Sequence, residues 1–207
     1  MEELSSIMEL VGAFITGVVG PILYFLFTRM YRDMKDKQTD KIKESVKNTS
    51  VIENELEEIR AELKADRVWL AQFHNGGNFY PTGKSIQKFS IFYEVIRPGI
   101  ASIVHTFSNI PTSLYSKAFS RLMEDEGIFI EDFENETIAT YGLKSYADST
   151  ASKSTYILPL FSLDDKFIGM IGVDFVLDTE ELEKDEWEHF QIYAGRIAGF
   201  LSNYLDK

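Results

Sequence analysis

The stretch Lys153–Leu177, KSTYILPLFSLDDKFIGMIGVDFVL, decides the fold. Residues 153–163 and 166–177 are rich in the β-branched and aromatic side chains that suit a pleated, half-buried surface. Asp164-Asp165 lies between them as a tight hairpin turn. Asp174 is a carboxylate inside the apolar second strand, so it must face solvent or pair with a base, and pairing within the fold is the favoured reading. Beyond the hairpin, Asp178 with Glu181 three residues later has the form of a capping box. Glu180, Glu181, Glu183 and Asp185 suit the positive end of a helix dipole. Phe190, Ala194, Ile197, Leu201 and Tyr204 give the helix that follows one apolar stripe, packed on the sheet or paired with another helix.

Working back from the hairpin, Gly127–Asp132 reads as a short strand and Thr137–Tyr146 as an irregular or helical crossover. Pro111 opens a helix running to about Asp125, with Leu114, Ala118, Phe119 and Leu122 on its apolar face. Ile100–Phe107 is read as extended. Asp66–Asn75 and Ile86–Val95 alternate as strands, and the glycines at 76, 77 and 83 bracket the turn between them. The sheet is mostly antiparallel and the class is α+β.

The order of these elements resembles the GAF domain, a PAS-related α+β sensor fold. YILPLF, the short turn, KFIGMIGVDFV with Gly169 and Gly172, and EWEHFQIYAGRIAGFL are similar to the GAF hairpin and its closing helix. The resemblance implies that a small ligand, where one is bound, lies between the sheet and the middle helices, here Tyr93 to Tyr146. The chain has no cysteine, which argues against a bilin linked through a thioether as in photoreceptor GAF domains.

Further back, Leu10–Thr28 is nineteen residues without a charge, which at about 1.5 Å per residue matches a hydrocarbon core of roughly 30 Å. It is read as a transmembrane helix following a short acidic N-terminus, residues 1–9. Lys and Arg are absent before it, and Arg29, Arg32, Lys35, Lys37, Lys41, Lys43 and Lys47 follow, which places the C-terminal side in the cytoplasm of a bacterial or host cell. Gly12, Thr16 and Gly20 recur every four residues and suggest a dimer contact. Residues 29–64 contain no Gly or Pro, and Ile52, Leu56, Ile59 and Leu63 repeat in steps of four, three and four. That is the spacing of a coiled-coil seam, hence a helical stalk joining two copies; the same spacing also fits one amphipathic helix lying on its own domain. Residues 65–207 are the globular domain.

The formal charge of −12 falls wholly in residues 48–207, because residues 1–47 balance their charges. This acidity argues against a nucleic-acid partner. The absence of cysteine removes disulfides, thiolate catalysis and Cys-ligated zinc. No phosphate loop, H-E-x-x-H or G-x-S-x-G motif is present, and His74, His105 and His189 are not spaced as metal ligands. No catalytic residue, metal or cofactor is read from the chain. The densest polar segment is Phe73–Tyr80, FHNGGNFY. Its first reading is a turn needing φ > 0 with His74 hydrogen-bonded locally; its second is a ligand contact by His74, Asn75, Gly76 and Gly77, with Lys84 and Lys88 available to an anion.

The leading functional reading is a membrane-anchored, non-catalytic GAF-like sensory or regulatory module that binds a small molecule or a protein partner. The alternative rests on a second resemblance. One membrane helix, a helical linker and a PAS-like or GAF-like domain in about 210 residues is similar to the layout of the holins of T-even bacteriophages, pore-forming lysis proteins whose soluble domain binds an antiholin. Those holins hold that domain in the periplasm, opposite to the side the charges predict here.

Overall fold

Strand β1, Arg67–Asn78, shows how the sheet divides its surroundings. Side chains alternate across a strand, so Val68 and Leu70 enter one buried cluster while Trp69 and Ala71 enter another on the opposite face. The other strands are β2, Ser85–Ile96; β3, Ile110–Pro111; β4, Ile128–Ile130; β5, Ser154–Phe161; and β6, Phe167–Phe175. Their order across the sheet is β3-β2-β1-β6-β5-β4, and every pairing is antiparallel. The computed structural model describes residues 8, 12–13, 15–79, 81–135 and 137–205.

The central hairpin β5–β6 forms as its composition predicts, but its turn is wider than two residues. Ser162–Lys166 closes it, with Ser162 N donating to Lys166 O at 2.8 Å and Asp165 at a φ of +55°. Gly169 and Gly172 sit on β6 where β1 approaches closely. A Cβ at 172 would overlap the Trp69 ring and one at 169 the Ala71 carbonyl. These two positions need hydrogen as a side chain, which gives the glycines of the quoted stretch a steric reason.

Among the described residues, four α-helices accompany the sheet: α1, Gly20–Glu62; α2, Ser116–Met123, after a 3-10 turn at Thr112–Tyr115; α3, Lys144–Thr150; and α4, Lys184–Leu205. The chain divides into two units, Met1–Asn48 and Thr49–Lys207, so the last turns of α1 belong to the second. There Ile52, Leu56, Ile59 and Leu63 are buried with Phe190, Ala194, Ile197 and Leu201 of α4 against Val68, Leu70, Tyr156, Leu158 and Ile171 of the sheet. The expected intermolecular seam of Leu56, Ile59 and Leu63 is thereby corrected. These side chains are 0 to 4% exposed inside one copy, and heptad spacing cannot tell a partner helix from the chain's own sheet. Polar contacts fasten the same pair of helices, with Tyr193 donating to Glu62 at 2.8 Å and Arg196 to Glu55 at 2.7 Å.

Two other expectations shift. Residues 100–107 form turns rather than a strand, although Ile103 and Phe107 are buried and Ile91 N donates to Phe107 O at 2.9 Å. Helix α4 begins at Lys184 instead of just after Asp178, and its first free amide is met by Glu186, whose carboxylate accepts from Glu183 N at 3.0 Å.

In the first unit a π-helical turn, Ile15–Val19, precedes α1. Among the described residues no helix is long and apolar enough to cross a membrane. Leu10, Val11 and Phe14 of the expected 10–28 span lie outside the described residues, and α1 carries charge from Arg29 onward. The length and hydropathy of these helices do not support the transmembrane reading. Of the stripe Gly12, Thr16 and Gly20, Thr16 lies in the π-helical turn and Gly20 opens α1, so one α-helical register does not run through all three. Ile22 to Phe27 nonetheless expose every large apolar side chain, from 49 to 73%.

Candidate functional site

The residues singled out in sequence lie on the β1–β2 hairpin. His74 pairs in register with Lys88 and Asn75 with Gln87. His74 Nε2 lies 2.8 Å from Ser90 Oγ, which also accepts from Asn109 N at 2.8 Å, so the imidazole is held by its own sheet. Gly77 adopts φ +86° inside β1, where the register with β2 shifts between Asn75 and Asn78, and not in the turn expected there; at Gly76 a Cβ would run into the Lys88 side chain lying across it. Asn75 and Lys84 are exposed. None of the six lines the groove that opens beside them.

That groove, of about 480 Å³, lies between the sheet and the start of α2. Phe73 from β1, Phe119 from α2 and Phe167 from β6 form its floor, with ring centroids 4.7 to 6.4 Å apart and Met123 beside them. Gln87, Thr112, Ser113, Ser116 and Ser120 supply a rim of hydroxyl and amide groups, and none of the lining side chains is charged. Thr112 donates to Gln87 O at 3.3 Å, tying the 3-10 turn to β2. Sequence reasoning missed this rim. Its signal was the run TSLYSKAFS from Thr112 to Ser120, whose hydroxyls recur between the apolar positions of the helix.

Deeper along the same face, the space between the sheet and the middle helices is closed. Trp69, Phe89, Phe107, Phe119, Tyr146 and Met170 leave a cavity of about 20 Å³, room for about one water between apolar walls. The deeper part of the region Tyr93–Tyr146, expected to hold a ligand, is packed with the chain's own side chains, and its residues 112–123 line the open groove instead. Burial pushes the Tyr115 hydroxyl above its ordinary pKa, partly offset by a hydrogen bond with Ser145.

A charged node backs this core. Asp174 is fully buried, and its Oδ2 accepts from Arg67 at 2.9 Å, Trp69 Nε1 at 3.2 Å and Tyr146 Oη at 2.6 Å, while Oδ1 accepts from Thr155 at 2.6 Å. Arg67 is 1% exposed and also donates to Ala101 O and Thr150 O, with Glu94 3.5 Å from its Nε. The carboxylate predicted to pair within the fold does so. Burial first, then the charge of Asp174, drive the Tyr146 hydroxyl well above its usual range, so it remains a donor. Every oxygen of the Asp174 carboxylate is engaged, which suits a structural tie between β1, β6 and α3. Among the described residues no group of three or more His, Asp or Glu side chains gathers to hold a metal.

Comparison with solved structures gives the fold its class. The chain is similar to the phycocyanobilin-bound GAF domain of a cyanobacterial phytochrome, with a TM-score of 0.60 and 20% identity over 80% of this chain and 90% of that one. The blue-light-absorbing PixJ GAF domain of Thermosynechococcus elongatus matches at 0.60 and 13% identity over 78% and 88%. A GAF domain of Synechocystis in its photoproduct state matches at 0.58 and 15% over 76% and 95%. The fold is that of a GAF domain. No family model and no curated protein matches the sequence. The holin alternative gains no support from these neighbours.

Proposed function

We propose that the chain is a non-catalytic GAF-type sensory or regulatory module whose ligand is a small, uncharged, partly apolar molecule seated in the groove above Phe73, Phe119 and Phe167. The observation that carries this reading is the groove itself, an aromatic floor with an uncharged hydroxyl and amide rim, beside a core too full to admit a ligand. Its volume lies within the ~300–1,000 Å³ of small-molecule pockets, and a few polar groups around an apolar floor are what such pockets use for orientation. With no cysteine and a filled core, the chain lacks the two features a thioether-linked bilin would need.

The test is a melting screen of the full chain against neutral metabolites, repeated with Ser116→Trp and Ser120→Trp, which place an indole in the groove from exposed helix positions. A ligand at 100 times its Kd stabilises by about 2.7 kcal/mol. That shift should vanish in both variants while their unliganded melting stays within a few degrees. A shift that survives both, or no shift from any compound, refutes the groove as the site.

Residues 10–28 are proposed as an anchor that holds the module at a membrane with its domain in the cytoplasm. The uncharged run and the exposed apolar side chains of Ile22–Phe27 support this. A reporter fused after Lys207 should signal from the cytoplasm. A periplasmic signal with collapse of the membrane potential on expression would replace this reading with the pore-forming one.

A further inference from the structure

We propose that the domain carries a second, separate site for an alkylammonium cation, in the cavity of about 340 Å³ walled by Phe129, Tyr156 and Trp187 and flanked by the carboxylates of Glu131 and Glu181. The walls follow from the sheet edge. Phe129 is the middle residue of β4, the outermost strand, and sits opposite Tyr156 of β5. Alternation sends its neighbours Ile128 and Ile130 into the core of the other face and leaves Phe129 40% exposed on this one. Trp187, in the first turn of α4, meets Phe129 edge-on, with ring centroids 4.3 Å apart and planes at 85°. Tyr156 stands 6.3 Å from Phe129 and 6.5 Å from Trp187. Gly127 permits this corner, since a Cβ there would lie 2.8 Å from the Phe129 ring and 3.1 Å from Trp187.

Aromatic rings carry negative π faces, and ammonium groups without N–H donors bind against such faces because desolvating them is inexpensive; here three rings line one open volume. The Tyr156 hydroxyl is already engaged, donating to Glu180 O at 2.8 Å and accepting from Leu182 N at 3.1 Å, which leaves its ring for a ligand. The field at the cavity is negative. Burial, joined by the charges of Glu131, Glu181 and Glu180, pushes the Tyr156 phenol up to about 12. Lys184, the cation on the lining, is 90% exposed and lies 3.7 Å from Glu188. The whole net charge of −12 resides in this part of the chain and favours cations over anions at long range.

The probes are tetramethylammonium, choline, the neutral isostere 3,3-dimethylbutan-1-ol and a short peptide carrying trimethyllysine, titrated into the full chain. Trp187 is one of only two tryptophans and the other, Trp69, is buried, so emission reports on the cavity. Saturable change with the cations and none with the isostere is expected. Tighter binding of the peptide assigns the ammonium to a protein side chain, tighter binding of choline to a free metabolite. Glu131→Gln/Glu181→Gln, two exposed positions, should weaken binding by about five- to tenfold without altering the melting temperature. Phe129→Leu should weaken it further. Equal responses to choline and its neutral isostere, or full affinity in the double Gln variant, overturn the proposal.

Discussion

Replacing Asp174 with Asn keeps the shape of the side chain and removes its charge. In the folded chain this leaves the Arg67 guanidinium, 1% exposed, with Glu94 at 3.5 Å from Nε as its nearest remaining carboxylate. The Asn oxygen can still accept from Trp69 and Tyr146, and Thr155 can turn its hydroxyl to accept from the new amide. The loss is therefore mainly that of an ion pair broken from one side. Breaking a buried pair in this way costs about 3–5 kcal/mol. At about 2–4 °C per kcal/mol for a chain of this size, the melting temperature should fall by about 6–20 °C. Denaturant titration followed by tryptophan emission is the assay, since Trp69 Nε1 donates to Asp174 directly. A double variant, Arg67→Met with Asp174→Asn, should lose less than the two single losses added, by about 1–3 kcal/mol, because it removes the stranded charge. A loss below about 1 kcal/mol for Asp174→Asn, or strict additivity in the cycle, would refute the claim that this pair ties β1 to β6.

Gly172→Ala should destabilise the domain by about 1–3 kcal/mol or abolish folding, because the new methyl overlaps the buried Trp69 ring; near-UV circular dichroism checks it. Leu56→Ala should cost about 2–5 kcal/mol, as loss of a fully buried core side chain, without changing the mass measured by light scattering. A drop in oligomer mass with little loss of stability would restore the coiled-coil seam. Burial acts to raise the pKa of Asp66, but the amides of Leu177 and Val176 and the Arg97 guanidinium outweigh it and hold the carboxyl below its ordinary value. Its folded pKa is thus below its unfolded one, so its contribution is full above about pH 4 and is lost as pH falls through the folded value. Asp66→Asn should be less stable at pH 7 yet flatter with pH below about 4, as read by denaturation at a series of pH values.

The strands were legible because period-2 alternation in Asp66–Asn75 and the β-rich runs of 153–177 reflect which face each residue meets. The need to pair Asp174 was legible for a similar local reason, whereas the glycines of β6 entered only through the resemblance and their steric role needed the approach of β1. The candidate groove was not. Phe73, Phe119 and Phe167 are far apart in the chain, each reads as an ordinary core position, and only the sheet order brings them together as a floor. The same holds for the corner of Phe129, Tyr156 and Trp187, which needs an edge strand beside the first turn of α4.

Local chemistry alone thus settled the α+β class, the hairpin, the acidic and cysteine-free character of the domain, and the amphipathic face of residues 52–63. Folding in three dimensions settled which surface that face meets. Ile52, Leu56, Ile59 and Leu63 carry the same spacing whether they bury against a second copy or against the chain's own sheet, and the free energy of removing them from water is nearly the same in both. Only the position of β1, β5, β6 and α4 beneath the helix makes the intramolecular choice.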